Sequence, residues 1–393
     1  MRLLKQLSSL LAVSFLAGFV FAASASAQDA KIVKIVGNAQ AASITRNGAS
    51  LPMTEGMPIQ VMDIINTGAG VDVFVQPYDG VLATVKENSH VGVSMLSPND
   101  AELDLTAGGG GSVVAQIVPN AGHKFGVRTP KGVAAAKGTV YTVVSNGVTY
   151  TVSTFAGSVS ITAPGLPDVN LGAGQSSPGA TPDQIAAAAS VALAAVAVVA
   201  QGGGGINATA SQAATGEMSG VLNSIIKSVP AAAVEQALAS ATKAAPAQTT
   251  NLVSKAVTEI TKETAVGGSK EGQAGDLVQS VTQGATSGTK GVVGAPDAGS
   301  IASTAVTAAK SGDNALTGTA LTAVADKAVA GASSGSGTSQ SSIAGTVTAN
   351  NSGIAVNSTT TQQNTTTPAA VVTTPTTTVD PSINVSGAGA VIP

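Results

Sequence analysis

Between Phe125 and Gln175 apolar side chains fall at nearly every second position: Val127, Val140, Val143, Val148, Tyr150, Val152, Val159 and Ile161 stand among polar neighbours. That period puts them on one face of pleated strands, so the stretch is expected to fold as half-buried β-strands. Thr129-Pro130 holds Thr129 extended, and Asn146-Gly147 is a favoured two-residue hairpin dipeptide, so residues 141–145 are expected to pair antiparallel with residues 148–153.

The same grammar runs back to residue 31. Lys31-Ile-Val-Lys-Ile-Val36 precedes Gly37, Ile44 leads to Asn47-Gly48, and Ile59, Val61 and Ile64 precede Thr67-Gly68. Val71, Val73 and Val75 alternate up to Tyr78-Asp79-Gly80, Val81, Ala83 and Val85 return from it, residues 90–95 alternate again, and Leu103 with Leu105 leads into the glycine run 108–111. Turns at this spacing, roughly every 8 to 12 residues, belong to an all-β domain. Its expected span is residues 28–175, as a sandwich or a short β-roll.

Beyond Gln175 the pattern changes. Residues 176–205 read as a linker, an Ala/Val/Leu/Ile run over 185–200 and a closing run of four glycines. Three readings compete for the run: a buried or self-associating helix, a second membrane span, or a disordered or assembly-dependent segment. The first is the expected one, because alanine allows close backbone approach while sixteen weakly apolar residues fall short of the roughly 20 a span needs. Over 206–332, Leu222, Ile225, Ile226 and Val229, then Leu252, Val253, Ala256, Val257 and Ile260, follow helical face spacing; weaker echoes occur over 277–281, 301–306 and 321–329. Pro230 and Pro246 stand where helices begin. An Ala-rich array of short helices is expected, without a known repeat signature. Residues 333–393, rich in Thr, Ser, Asn, Gly and Pro, are expected to be a disordered tail.

At the other end, Arg2 and Lys5, the apolar run 10–21 and Ala25-Ser-Ala27 before Gln28 read as a secretory signal over residues 1–27, cleaved between Ala27 and Gln28. The chain is thus expected to be exported to the periplasm, the cell surface or the medium. It holds no Cys and no Trp, aromatics are 2% and charged residues 10% of the chain, and the net charge is −3. A disulfide framework is excluded, and no basic run offers a phosphate footprint, so nucleic acid is not an expected partner.

Catalytic chemistry finds little support. Gly132-Val-Ala-Ala-Ala-Lys137-Gly138-Thr139 resembles a nucleotide loop with its lysine on the wrong side of the glycine. The two histidines, His90 and His123, have no cysteine to join them, and no Ser/His/acid set carries a nucleophile-elbow signature. The expected protein is not an enzyme and holds no cofactor or metal.

Several short signatures appear in order: Asp63-Ile-Ile-Asn-Thr67-Gly68, Tyr78-Asp79-Gly80, Asn88-Ser89, Arg128-Thr129-Pro130, Lys137-Gly138-Thr139, Phe155-Ala-Gly157-Ser-Val159 and Leu171-Gly-Ala-Gly174-Gln175. Together they resemble the FecR domain, an all-β module of bacterial iron-uptake regulators and other exported proteins, from about residue 30 to residue 175. Met62 stands where the family usually has Gly, and Lys137 where it has Arg. Two functions are compatible with the resemblance. The first is a non-catalytic exported envelope scaffold that binds an envelope protein or glycan and self-associates through residues 185–200, membrane anchoring not being favoured. The alternative is a periplasmic signal-sensing component related to FecR-type sigma-factor regulators. A FecR-like domain directly after the signal, with no sigma-binding segment before it, favours the first. The β domain is also expected to fold alone as residues 28–180.

Overall fold

The computed structural model describes residues 30–106, 110–118, 124–165 and 167–357. The N-terminal segment with Ala27 and Gln28, His123, and the chain beyond residue 357 lie outside them.

In chain order the strands are β1 (Lys31–Val36), β2 (Ala42–Arg46), β3 (Ala49–Pro52), β4 (Ile64–Thr67), β5 (Asp72–Tyr78), β6 (Val81–Val85), β7 (Ser89–Ser97), β8 (Asp100–Asp104), β9 (Gly111–Ile117), β10 (Lys124–Thr129), β11 (Gly132–Ala136), β12 (Val140–Ser145), β13 (Tyr150–Ala156), β14 (Ser158–Thr162) and β15 (Val169–Gly172). They form a six-stranded sheet, β1-β5-β6-β9-β12-β13, and a nine-stranded sheet, β15-β14-β11-β10-β8-β7-β4-β2-β3. All pairs are antiparallel except β8 with β10. The geometry is therefore a sandwich. Ile44, Ile65, Leu103, Phe125 and Val127 of the larger sheet share one core with Ile32, Val73, Val113, Tyr141 and Val143 of the smaller. Tyr141, fully buried, shares its hydroxyl proton between the carbonyls of Phe125 (3.2 Å) and Ala134 (3.3 Å), tying one sheet to the other.

The two Asn-Gly turns diverge. Asn47 and Gly48 both take positive φ, 51° and 77°, and join β2 to β3 as a tight two-residue loop. At Asn146 the loop is longer. The Asn146 side chain accepts from the backbone N–H of Val148 (3.0 Å) and Thr149 (2.7 Å), so pairing starts at Ser145↔Tyr150. The pairing is shifted by two residues from the expected register, which keeps Val143 and Val152 on the inter-sheet face but leaves Val148 exposed in the loop, and Val140, beyond an irregularity at Tyr141, faces the helices.

The helices are α1 (Pro182–Gln201), α2 (Ala208–Ser228), α3 (Ala231–Ala244), α4 (Thr249–Thr264), α5 (Ala274–Thr289), α6 (Ala298–Ala309), α7 (Gly318–Ser336) and α8 (Gln340–Asn350). Thr181 and Gln184 close a reciprocal capping box at the start of α1, with Pro182 in its first turn. Each helix packs on the next but one: α1, α3, α5 and α7 form one row, α2, α4, α6 and α8 the other. This is a two-layered stack of helix pairs, in which each pair buries its apolar face on its neighbours.

The stack begins on the sandwich. Val33, Phe74, Leu82, Val114, Val140 and Phe155, on the outer face of the six-stranded sheet, belong to the same apolar cluster as α1 and α2. The expectation of half-buried strands is corrected here: both faces of this sheet are covered, and all five residues of β6 are buried. The sandwich keeps its own inter-sheet core, and the outer face of its six-stranded sheet belongs to a second apolar cluster that runs on through the helices. The described residues belong to one compact unit. α1 is long and apolar enough to cross a membrane by length and composition, and 67% of its most apolar window is buried against the chain's own elements.

Two further expectations change. The glycine run does more than end α1: Gly205 N–H donates to Val33 O (2.6 Å) and Lys34 Nζ to Gly202 O (2.7 Å), covering the free edge of β1. Gly202, Gly203 and Gly204 hold φ of 74°, 88° and 59°, a path other residues seldom follow. The tail expected to be disordered over 333–393 is ordered at its start. α7 reaches Ser336, and α8 joins the stack through buried Ile343, Ala344 and Val347. Asn351 is fully buried, donating to Ser303 Oγ (3.0 Å) and accepting from Thr307 Oγ1 (2.9 Å). A few apolar residues suffice because the preceding helix pair supplies the rest of the buried surface.

Candidate functional site

The signature residues of the sandwich sit at its turns and edges, spread over both sheets. Asp63 is 1% exposed and takes two bonds from Arg46, Nε at 2.8 Å and Nη2 at 2.7 Å, and one from Gln60 N–H at 2.7 Å. Thr67 donates to Lys86 O and accepts from Ser89 N–H, and Gly68 N–H donates to Ala41 O. Asp79 is exposed at the β5–β6 turn and accepts from Gln76 Nε2 (2.8 Å), with Gly80 beside it at φ 82°. Arg128 pairs with Glu102 (2.7 Å), Thr129 Oγ1 donates to Gly132 O, and Pro130 forms the exposed β10–β11 turn. Lys137 is exposed, Gly138 turns at φ 66°, and Thr139 Oγ1 reaches Lys137 O (3.2 Å) and Ser158 O (3.0 Å). A Cβ on Gly157 would collide with the Gly138 carbonyl. Gly174 N–H donates to Thr154 O, and Gln175 Oε1 accepts from Gly172 N–H. Several of these groups fasten turns and strand ends, others pair side chain with side chain, and they are spread over both sheets rather than gathered around a common point.

Met62, in the position where the resemblance expects Gly, has φ 76° and is 85% exposed. A non-glycine residue there costs about 1 kcal/mol or slightly more. Met62→Gly is expected to stabilise the protein by about 1 kcal/mol in urea unfolding, since little side-chain contact is lost. An unchanged or lower midpoint would show that the thioether contributes more than the strain.

The outer face of the nine-stranded sheet is polar. His90 Nδ1 lies 2.7 Å from Asn66 Oδ1, and Asn66 Nδ2 donates to Thr45 Oγ1 (3.0 Å), forming one row across β7, β4 and β2. Ser94, Glu102 and Arg128 form a second across β7, β8 and β10. At one end of the sandwich a groove of about 660 Å³ runs between Lys131, Tyr150, Ile161, Val169 and the Thr181 cap of α1. Among the described residues no group of three or more His, Cys, Asp or Glu is placed to hold a metal.

A titratable group with a raised pKa lies where the sheet meets the stack. Glu217 of α2 accepts from Gln116 Nε2 of β9 at 2.9 Å, and burial pushes its carboxyl up to about 7, the bond from Gln116 opposing that rise. Gln116 is 6% exposed and its Oε1 has no partner. The sequence held a signal for this pair: Glu217 occupies the helical stripe of Met218, Val221 and Ile225, and Gln116 interrupts the apolar run Val113-Val114-Ala115. A second such pair joins α3 to α5, where Glu235 accepts from Gln283 Nε2 (2.9 Å) and burial again raises the carboxyl.

Residues 63–160 match the family model described as FecR protein. No curated protein matches the chain. Among solved structures the chain is similar to a candidate anti-sigma factor from Parabacteroides distasonis ATCC 8503, determined at 1.65 Å and at 2.50 Å. In both, identity is 16% and TM-score 0.25, over 29% of this chain and 52% of that one. The chain thus spans about half the length of the structures it matches.

Proposed function

From the premise that the chain carries a FecR domain, matched over residues 63–160, we propose that it is a non-catalytic, exported cell-envelope scaffold in which that domain caps a stack of helix pairs. One observation carries the reading. The outer face of the six-stranded sheet, with Phe74, Leu82 and Phe155, is buried under α1 and α2, so the domain and the stack form one extended body. Stacks of this kind offer long side surfaces to partners, and the sandwich adds the polar outer face of its larger sheet. The partner class is an envelope protein or glycan. α1 is occupied within its own chain, so self-association would use other surfaces.

A periplasmic sensing role is the second reading, favoured by the family match itself. Immobilised full-length chain incubated with envelope extracts distinguishes the two. A retained structural protein or polysaccharide, released unaltered, is the expected result. Recovery of a receptor together with a sigma-factor regulator would favour sensing, and chemical conversion of a retained component would overturn the non-catalytic reading.

A further inference from the structure

An acid in a helix stripe that packs on a sheet is costly to ionise, because burial disfavours the charged form, and keeping its proton reduces that cost. Gln116 Nε2 already donates to Glu217 Oε2 at 2.9 Å, and the other atom of the same amide, Oε1, is buried without a partner. A neutral carboxyl has an O–H to give, and an ionised one can only accept. A carboxylic acid and a primary amide form two reciprocal hydrogen bonds when the acid keeps its proton, and one when it does not.

We propose that Glu217 and Gln116 form a proton-operated latch between the FecR-domain sheet and the helical stack. It closes with two bonds when Glu217 is protonated and loosens when the proton leaves.

The surroundings assign the titration to this pair. β9, β12 and β13 carry no charged residue. α1 contributes only Asp183, in its first turn. On α4, Lys255 donates to Ser219 Oγ (3.1 Å), Glu259 and Glu263 accept from Asn223 (3.1 and 3.2 Å), and Lys262 pairs with Glu259 (2.9 Å). Lys227 of α2 itself pairs with Glu263 at 3.0 Å. α3 contributes Glu235, held by Gln283, and Lys243. At the β5–β6 turn Asp79 is held by Gln76, and Lys34 of β1 by Gly202 O. None of these ion-pairs with Glu217. A cavity of about 10 Å³ beside the amide, lined by Gln76, Leu82, Gln116 and Ala210, leaves room for a single water at most.

The sign follows from the two protonation states. Docked, Glu217 holds its proton up to pH about 7, and an exposed glutamate releases it near 4.5. Undocking therefore releases a proton between those values. Docking is firmest below pH about 4.5, weakens as pH rises to about 7, and is flat above that. The opening constant of α2 should rise by on the order of a hundredfold across this window.

Hydrogen exchange of the full-length chain from pH 4.5 to 7.5, corrected for intrinsic rates, reads it directly. In the unmodified protein, protection of α2 and β9 amides is expected to fall about a hundredfold with rising pH, with α7 unaffected. Glu217→Gln should remove the slope, and Glu235→Gln should leave it in place. If Glu217→Gln does not fold, Glu217→Leu serves, since it too cannot titrate. A folded Glu217 variant that keeps the slope, or a slope abolished by Glu235→Gln alone, overturns the latch.

Discussion

Cut after residue 180, the sandwich is expected to lose its solubility as a monomer. Val33, Phe74, Leu82, Val114, Val140 and Phe155 would all become exposed on one face. Burying a side chain of this kind contributes roughly 1.5–3 kcal/mol, so the face as a whole represents on the order of 10 kcal/mol. That is comparable with the entire stability of an ordinary domain, about 5–15 kcal/mol. Residues 28–180 should therefore elute as oligomers, bind a hydrophobic dye and unfold without a sharp transition. Residues 28–264, which add two helix pairs, should be monomeric and melt cooperatively. Ser224 Oγ to Phe155 O (2.6 Å) and Ser228 Oγ to Gly174 O (3.2 Å) show how closely α2 follows the sheet it covers. A monomeric 28–180 fragment with a cooperative melt at the full-length temperature would make the sheet–helix contact dispensable and restore the autonomous domain.

The two-residue period was legible because it reports one face at a time. It located the strands and put Val127, Val143, Val152, Val159 and Ile161 on one face, which is the inter-sheet one, but it also put Val140 there, which packs under the helices, and Val148, which is 69% exposed in the loop. It missed the second covered face, although the signal was present: Val73-Phe74-Val75 and Val81-Leu82-Ala83 are unbroken apolar runs, the mark of strands buried on both sides. The helix faces of α2 and α4 were also legible from residue spacing. The stack itself was not, because its contacts run between helices with no sequence adjacency and through Gly, Ala and Thr, which carry little hydropathy. For the candidate site, the short ordered signatures fall at turns and strand ends, among them Asp63, Gly80 and Gly138. Glu217 with Gln116 escaped because neither residue is unusual by itself; only their placement opposite each other across a buried interface gives them a role.

The close packing of the stack is set by glycines where helix meets helix. A Cβ on Gly288 of α5 would collide with Ala239 O and Thr242 Oγ1 of α3, and one on Gly335 of α7 with Gln283 O and Thr286 Oγ1 of α5. Backbone carbonyls cannot rotate aside, so Gly288→Val and Gly335→Val are each expected to cost about 3 kcal/mol, the upper end for overpacking. Their consequences should differ in extent. In a stack where each helix pair contacts only its neighbours, damage spreads toward the nearer free end. Gly335→Val should release α7 and α8 alone, leaving protease-resistant material that ends near residue 310. Gly288→Val separates α5 from α3, so α5 to α8 should be lost together and the resistant core should end near residue 264. Mass analysis after limited proteolysis distinguishes these products. If both variants yield the same fragment and the same drop in melting temperature, the sandwich and all eight described helices unfold as one cooperative unit, and the nearest-neighbour picture fails.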